Sequence, residues 1–289
     1  MFRESRESME INSPSPLPIS GSTRLYAVLG DPVAQVRAPS LLNPLFAHLG
    51  INAVLLPVHV RPDSFADVFR GLRRMENLDG ILITIPHKAA ALHLADEVSP
   101  AAEAAGAVNA LRREPDGRWT GENFDGIGFV SGLVAAGHLP KGKHVALMGA
   151  GGAGSAIAAA LLAAGAARLS LCDPDADKLE ALVARLERHW PGRTTGAAKP
   201  VLDDADIVVN ATPLGMRADD PLPFSPQALR PHCVVADVIM KPRETALLKA
   251  AAALGHPILH GAHMLDHQLG LYRTFFRLDK SSRGARDRE

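Results

Sequence analysis

The stretch KHVALMGAGGAGSAIAAALLAAGAARLSLCD, residues 143–173, decides the fold. It contains an apolar run, a cluster of glycines, an Ala/Leu-rich run and a second apolar run that ends on Asp173. The apolar runs predict buried strands and the stretch between them a helix. This stretch thus combines a strand, a G-x-G-x-x-G turn, a helix, a second strand and an acidic residue. The combination predicts a Rossmann βαβ unit that binds a dinucleotide. The alternative is a glycine-rich turn in another α/β fold.

Each glycine of this pattern has a predicted physical role. Gly149 permits the tight turn, Gly151 lets the backbone approach a pyrophosphate, and Gly154 lets the helix pack close to its strand. The free N–H groups at the helix N-terminus then receive the phosphate charge. Asp173 follows Gly154 by 19 residues and can accept hydrogen bonds from a ribose. Because the carboxylate repels a 2′-phosphate, the sequence predicts NAD rather than NADP.

The bulk composition restricts the class of protein. A chain of 289 residues favours two domains, and a net charge of zero gives no reason to expect nucleic acid or a membrane as partner. The two cysteines, Cys172 and Cys233, lie in apolar runs without metal-ligand spacing. No apolar run reaches the length of a membrane span and no secretory signal is evident, which predicts a cytoplasmic protein. His263 and His267 lie four residues apart but lack an H-E-x-x-H pattern, so no metal is expected.

Both halves of the chain alternate strand and helix patterns, which predicts an α/β protein with mainly parallel sheets. The first half is expected to hold a buried strand over 81–85 and a helix from Pro86 to about Glu97. An amphipathic helix is expected over 62–75. Asp116 and Gly117 predict a hairpin turn between two short strands.

Three polar residues of the first half could carry chemistry. Lys88 follows a buried strand, in the first turn of a predicted helix, where the helix dipole disfavours a cation by about 0.3–1 kcal/mol. The alternative for Lys88 is a solvated surface lysine. Asp125 lies at a helix start, where it could be an N-cap, and Asn109 could be a turn residue.

Six segments of the chain occur in the order seen in the shikimate/quinate dehydrogenases, a family that the chain resembles from about Leu25 to Phe276. Each segment alone is weak evidence for this family, whereas six segments in the same order are specific evidence for it. The segments are Gly30-Asp31-Pro32, Thr84-Ile85-Pro86-His87-Lys88, Gly106-Ala107-Val108-Asn109, Glu122-Asn123-Phe124-Asp125-Gly126, Gly149-Ala150-Gly151-Gly152-Ala153 and Asn210-Ala211-Thr212-Pro213-Leu214-Gly215-Met216.

The resemblance implies two α/β domains and a small-molecule substrate. We expect a substrate domain over 23–125 plus 263–278, with the last helix packing back on it, and a Rossmann NAD(P) domain over 126–262. Residues 1–22 are expected to form a disordered leader and residues 279–289 a flexible tail. A monomer or a homodimer is expected.

The resemblance also implies the roles of individual residues. Lys88 and Asp125 would be the catalytic pair beside the reacting hydroxyl group. Asn109 and Gln268 would hydrogen-bond substrate hydroxyls, with Thr84 near the substrate. The cofactor would be bound by the glycine loop and by strand-end residues, namely Gly149, Ala150, Gly151, Gly152, Ala153, Asp173, Thr212, Met216, Val238 and Gly261.

The chain departs from the family where the substrate carboxylate would bind. The usual Ser-x-Ser pair is Val36-Arg37-Ala38, so Val36 and Ala38 stand at two predicted substrate positions. Leu82 and Met240 replace a usual Asn and a usual Tyr. Arg37, Gln35, Ser40 or His87 could contact a repositioned acid group. NADP-using members typically carry Asn-Arg-Thr where this chain has Asp173-Pro174-Asp175.

The sequence therefore predicts an NAD-dependent dehydrogenase that reversibly oxidises a ring secondary alcohol of a shikimate- or quinate-like compound to the ketone. Any carboxylate of that substrate would be held differently. Within the class, a quinate, shikimate or aminoshikimate dehydrogenase with a rebuilt carboxylate site stays open. The rival is a catalytically idle NAD-binding sensor, which would not need Lys88 and Asp125.

Overall fold

The computed structural model describes residues 18–279, which form two six-stranded sheets covered by helices. The predicted leader lies mostly, and the predicted tail almost wholly, outside the described residues. No helix between residues 18 and 279 is long and apolar enough to span a membrane.

The first sheet has the strand order β2-β1-β3-β5-β6-β4. Strands β1, β2 and β3 are parallel, whereas β5 runs antiparallel to both β3 and β6 and forms the predicted hairpin. Its strands are β1 Arg24–Gly30, β2 Ala53–His59, β3 Leu78–Ile83, β4 Glu97–Val98, β5 Ala110–Arg113 and β6 Trp119–Glu122. The helices of this half are α1 Ala38–Leu49, α2 Phe65–Leu72, α3 Lys88–Leu92 and α4 Pro100–Ala105.

The second sheet is parallel throughout, in the order β12-β11-β10-β7-β8-β9. The order reverses between β7 and β10, which is the position where open α/β sheets bind ligands. Its strands are β7 His144–Met148, β8 Arg168–Cys172, β9 Thr194–Ala197, β10 Ile207–Asn210, β11 Val234–Asp237 and β12 Ile258–Leu259. The helices are α5 Asp125–Ala135, α6 Gly152–Ala163, α7 Ala176–His189, α8 Ala246–Ala253, α9 Ala262–Asp266 and α10 Leu269–Phe275.

Several predicted element boundaries are wrong. The helix expected from Pro86 to Glu97 is only the five-residue α3, because the chain turns after Leu92 so that β4 can pair with β6. The strand expected over 81–85 is β3, which begins and ends earlier. The helix expected over 62–75 is a short 3-10 turn followed by α2.

The C-terminal segment returns to the first sheet, as predicted, but as two short helices, α9 and α10, rather than as one. Leu265, Tyr272 and Phe276 belong to one apolar cluster with residues of β1 and α1. The Phe276 ring meets the Tyr26 ring edge-on, with 5.2 Å between ring centroids. The C-terminal segment therefore completes the core of the N-terminal half.

Glycines set the distance between the nucleotide helix α6 and its neighbours. A Cβ atom at Gly154 would overlap the carbonyl oxygen of Gly149, at the end of the preceding strand. A Cβ at Gly126 on α5 would overlap the carbonyl oxygen of Ala156 on α6. Close backbone packing at both positions thus requires the absence of a side chain.

We expect Gly154→Ala to lower the free energy of unfolding by about 1–3 kcal/mol, because the added methyl group overpacks the turn. The matched control is Gly71→Ala near the end of α2, where an added Cβ meets nothing within 4 Å. Chemical denaturation of both variants measures the difference. Equal stability of the two variants would show that α6 does not need the close contact.

Candidate active site

Two charged side chains that are distant in sequence meet between the first sheet and α5. Lys88 is the first residue of α3, directly beyond β3, and Asp125 is the first residue of α5. Lys88 Nζ lies 2.5 Å from Asp125 Oδ2. The two side chains are only 15% and 4% exposed. The alternative of a solvated surface lysine is therefore wrong.

The second oxygen of the Asp125 carboxylate accepts hydrogen bonds from two buried amides. Asn109 Nδ2 donates to Oδ1 at 2.9 Å, and Gln268 Nε2 donates to the same oxygen at 3.2 Å. Asp125 makes no side-chain cap of α5, so the N-cap alternative is also wrong. Asn109 is 2% exposed and is thus a buried partner of the ion pair.

Two asparagines brace the loops that carry this cluster. Asn109 Oδ1 accepts from the Phe124 backbone N–H at 2.9 Å, which fixes its amide with the NH₂ group toward Asp125. Asn123 Nδ2 donates to the Ala107 carbonyl at 2.9 Å, while its Oδ1 accepts from the Asp125 N–H at 3.0 Å. Sequence reasoning assigned no role to Asn123, although its place two residues before Asp125 was a signal.

The polar cluster has N–H donors that its internal hydrogen bonds do not use. An ammonium group has three donors and a primary amide has two. The contacts above use one donor of Lys88, one of Asn109 and one of Gln268. The remaining donors can bind oxygen atoms of a polyhydroxylated molecule.

The glycine loop has the shape that a dinucleotide requires. Gly149 has a φ of +104°, and a Cβ there would lie 2.7 Å from the Ala211 carbonyl oxygen. At Gly151 a Cβ would meet nothing within 4 Å, so the backbone is open to an approaching phosphate group. Gly152 and Ala153 begin the 12-residue helix α6, whose N-terminal N–H groups favour an anion.

Asp173 lies directly beyond β8, beside this loop. Its Oδ2 accepts from the Ala150 N–H at 2.6 Å, and its Oδ1 accepts from the Asp175 N–H at 2.9 Å. The carboxylate therefore supports the loop from the strand on which a ribose-binding acid is expected.

The glycine loop also contacts the lysine of the ion pair. A Cβ atom at Gly152 would lie 3.0 Å from Lys88 Cβ and 3.3 Å from Lys88 Cδ. The N-terminus of α6 and that of α3 therefore face each other across a narrow gap. This contact brings the Lys88–Asp125 pair next to the loop that fits a dinucleotide.

The remaining predicted cofactor residues share one edge of the second sheet. Thr212 and Met216 follow β10, Val238 follows β11 and Gly261 follows β12, all at the carboxyl ends of parallel strands. A Cβ at Gly261 would lie 2.6 Å from the Val238 carbonyl oxygen, so these two segments touch. Met216 is 44% exposed.

A buried polar network that the sequence did not reveal holds this edge. Asn210 Oδ1 accepts from the Thr212 hydroxyl at 2.7 Å, and Asn210 Nδ2 donates to Asp237 Oδ2 at 3.3 Å. The Thr245 hydroxyl donates to the same Asp237 oxygen at 2.8 Å. Burial raises the pKa of Asp237 above its ordinary value, against the effect of these hydrogen bonds.

Val36 and Ala38 lie at the start of α1 and pack against the apolar cluster of the first half. Leu82 is a buried member of that cluster. Met240 packs against this cluster and also against that of the second half. Thr84 is partly buried, and Gly30 leaves room for its methyl group. The predicted substrate positions Val36 and Ala38 therefore carry apolar side chains that pack into this cluster.

The four polar side chains predicted as possible contacts of an acid group differ in whether they already have hydrogen-bond partners. Gln35 Nε2 donates to a backbone carbonyl at 2.7 Å, and the Ser40 hydroxyl does so at 2.8 Å. His87 is buried, stacked on Phe65, with its Nε2 2.7 Å from a backbone carbonyl. The Arg37 side chain makes no hydrogen bond or ion pair within residues 18–279.

The histidines of the C-terminal segment do not form a metal site. His267 Nδ1 lies 2.8 Å from the backbone oxygen of His263. Among the described residues, no group of three or more His, Cys, Asp or Glu side chains is placed to hold a metal ion.

Comparison with known proteins matches both halves of the chain. Residues 28–111 match the family model of the shikimate dehydrogenase substrate binding domain. Residues 144–235 match the model described as NADP oxidoreductase, coenzyme F420-dependent. A shikimate dehydrogenase (NADP(+)) of Rubrobacter xylanophilus is 40% identical over 256 residues, which cover 86% of this chain and 89% of that protein.

Solved structures match most of the chain, across both sheets. A shikimate dehydrogenase from Aquifex aeolicus is 32% identical with a TM-score of 0.80, covering 89% of this chain and 94% of that chain. A ligand-free 5-ketofructose reductase of Gluconobacter sp. is 32% identical, with a TM-score of 0.77 and coverage of 88% and 92%. A quinate dehydrogenase of Corynebacterium glutamicum in complex with NAD is 32% identical, with a TM-score of 0.74 and coverage of 89% and 93%.

We expect Gly151→Ala to weaken dinucleotide binding without unfolding the protein. The methyl group takes the space through which a pyrophosphate approaches the backbone, so the Kd for NAD and for NADP should rise at least roughly tenfold. Calorimetric titration measures the affinity, and denaturation should show a change in unfolding free energy below about 0.5 kcal/mol. Unchanged affinity would contradict the assignment of the loop, and Gly71→Ala again serves as the control.

Proposed function

The chain belongs to the shikimate dehydrogenase family, and from its site geometry we propose that it reversibly oxidises a secondary alcohol of a shikimate- or quinate-like ring compound. Its relatives and structural neighbours make it an oxidoreductase that acts on CH–OH groups and uses a nucleotide cofactor. The catalytically idle alternative has no support among those relatives, which are all named dehydrogenases or reductases.

The observation that carries the proposed mechanism is the Lys88–Asp125 pair beside the glycine loop. The nicotinamide group, when bound, would accept a hydride from the carbinol carbon in oxidation and would donate one to the ketone carbon in reduction. During oxidation, the Lys88–Asp125 pair takes the proton of the substrate hydroxyl: Lys88 Nζ accepts it as an unprotonated amine and becomes the ammonium group that Asp125 Oδ2 holds in place. During reduction, Lys88 Nζ returns a proton to the oxygen of the forming alcohol.

We assign substrate hydroxyl binding to Asn109 and Gln268, with Thr84 at the edge of the same site. Both amides direct an NH₂ group toward Asp125 and retain one N–H each. A ring compound with neighbouring hydroxyl groups can accept from these donors while its reacting hydroxyl lies on Lys88. This arrangement orients the substrate relative to the glycine loop.

We expect the end of the substrate that lies near α1, away from the reacting hydroxyl group, to carry an uncharged group. Val36, Ala38 and Leu82 offer no hydrogen bond to a carboxylate, and transferring an unpaired charge to an apolar surface is costly. The neighbour named 5-ketofructose reductase fits this idea, since 5-ketofructose has no carboxyl group. Arg37 is the residue that would hold an acid group if the substrate has one.

We propose NAD as the preferred cofactor. The carboxylate of Asp173, fixed by the Ala150 N–H, would accept from ribose hydroxyls and repel a 2′-phosphate. The quinate dehydrogenase structure holds NAD, whereas the Rubrobacter relative is named for NADP(+). The local chemistry of Asp173 thus points away from the cofactor in that relative's name.

The domain division and the cellular setting are also proposals. We assign 23–125 plus 263–278 to the substrate and 126–262 to the dinucleotide, supported by the two separate sheets. The cysteines Cys172 and Cys233 are both free thiols, which fits a cytoplasmic protein. A monomer or a homodimer remains our expectation.

We expect Lys88→Ala to lower kcat for a ring polyol by about 10²–10⁴-fold, because general acid–base catalysis contributes factors of this size. The Kd for the dinucleotide should stay the same. The control is Lys249→Ala on the exposed side of α8, which removes a lysine outside the site. Turnover of Lys88→Ala at the wild-type rate would disprove the mechanism.

We expect Asp173→Asn to reduce the preference for NAD over NADP at least about tenfold, because the like-charge repulsion of the 2′-phosphate is lost. The asparagine keeps an oxygen for the Ala150 N–H. The control Asp177→Asn makes the same charge change on the exposed first turn of α7. The ratio of kcat/KM for the two cofactors measures the effect, and equal ratios in both variants would contradict the role of Asp173.

A further inference from the structure

A buried tyrosine contacts the glutamine of the active-site cluster. Tyr272 Oη donates a hydrogen bond to Gln268 Oε1 at 2.5 Å, four residues earlier in the chain. Burial, with the nearby charge of Asp125, raises the pKa of Tyr272 well above its ordinary value. The phenol therefore keeps its proton at pH values where an ordinary tyrosine begins to lose it.

Aromatic packing fixes the direction of this hydroxyl group. The Tyr272 ring meets Phe124 edge-on, with 5.5 Å between centroids and 88° between planes. On another side it stacks against Phe276 at 6.2 Å. Ala38 and Leu269 line a small apolar niche beside the same ring. A ring held on several sides cannot turn its hydroxyl away from Gln268 without repacking the cluster.

The Tyr272 hydroxyl and the Asp125 carboxylate together fix the orientation of the Gln268 amide. A carboxylate accepts hydrogen bonds and cannot donate them, so only the NH₂ end of the amide suits Asp125 Oδ1. With Tyr272 bound to Oε1, the oxygen end already has its donor. The NH₂ end then bonds Asp125 with one hydrogen and keeps the other for a ligand.

We propose that Tyr272 is a positioning residue of this enzyme, which acts on the substrate through Gln268. This inference rests on the proposed function for its kinetic consequences. The hydroxyl group holds the amide so that Gln268 donates to Asp125 and to a substrate oxygen. Without it, the buried Oε1 loses its hydrogen-bond donor, and the amide is no longer held at both ends, so its second N–H loses its fixed direction toward the substrate.

The test is Tyr272→Phe, which removes only the hydroxyl group. We expect kcat/KM for the ring polyol to fall about 5- to 100-fold, the range for a buried polar group left without its partner. The Kd for the dinucleotide should not change. The matched control is Tyr26→Phe, which removes the other tyrosine hydroxyl of the same apolar cluster and should change kcat/KM less than about twofold.

A double-mutant cycle with Gln268→Ala separates positioning from a general structural effect. If Tyr272 acts through Gln268, adding Tyr272→Phe to Gln268→Ala changes kcat/KM by less than about twofold. Effects that multiply in the double variant would overturn the proposal, as would a Tyr272→Phe enzyme with wild-type kcat/KM.

A spectroscopic measurement tests the proposal independently of turnover. The side-chain NH₂ signals of Gln268, assigned by their loss in Gln268→Ala, should shift or broaden in the ¹⁵N–¹H spectrum of Tyr272→Phe. They should keep their positions in Tyr26→Phe. Unchanged Gln268 signals in Tyr272→Phe would overturn the positioning role. Lack of polyol oxidation by the wild-type protein would instead overturn the proposed function and leave this test valid.

Discussion

The buried ion pair of Lys88 and Asp125 is the constraint on which the rest of the site depends. Two charges taken out of water are costly unless their remaining hydrogen-bonding capacity is satisfied. Here the carboxylate accepts from Asn109 and Gln268 in addition to the lysine. Those amides come from a loop before β5 and from the C-terminal segment, so a stable pair requires the chain to bring its end back to its first sheet. The return of the C-terminal segment to that sheet therefore brings Gln268 to the ion pair and also completes the core.

The two halves of the protein meet where each contributes a helix N-terminus. The glycine loop and α6 offer backbone N–H groups, and α3 offers Lys88, whose side chain contacts Gly152. Small residues make this proximity possible, since a side chain at Gly126 would push α5 away from α6. Asp125 begins α5, so the same close packing that holds the nucleotide helix also positions the carboxylate of the pair. One set of helix contacts therefore supports both the Lys88–Asp125 pair and the glycine loop.

Much of the fold was predictable, because the motif of residues 143–173 carries its own structural context and predicted a parallel nucleotide-binding sheet. The features that could not be predicted from local sequence depend on tertiary contacts. No residue near Leu92 predicts the end of α3. The helix ends there because the chain must turn for β4 to pair with β6. The meeting of Lys88 with Asp125 was implied only by the family resemblance, as spacing alone cannot pair residues 37 positions apart. The roles of Asn123 and Tyr272 were not predicted. They depend on hydrogen bonds to other polar side chains and backbone groups, and such bonds leave no periodic pattern in the sequence.

We propose that the protein oxidises a ring alcohol whose end near α1 carries no charge. This proposal is tested most directly by following dinucleotide reduction with a panel of cyclic polyols. The panel should contain quinate, shikimate, their amino analogues and versions of each without the carboxyl group. We predict turnover of at least one uncharged polyol at an ordinary enzymatic rate, about 1–10³ s⁻¹, and a lower kcat/KM for its carboxylated counterpart. Efficient oxidation of quinate or shikimate that is lost in Arg37→Gln would contradict the uncharged substrate end. No reduction with any polyol, despite dinucleotide binding, would contradict the enzymatic role of the Lys88–Asp125 pair.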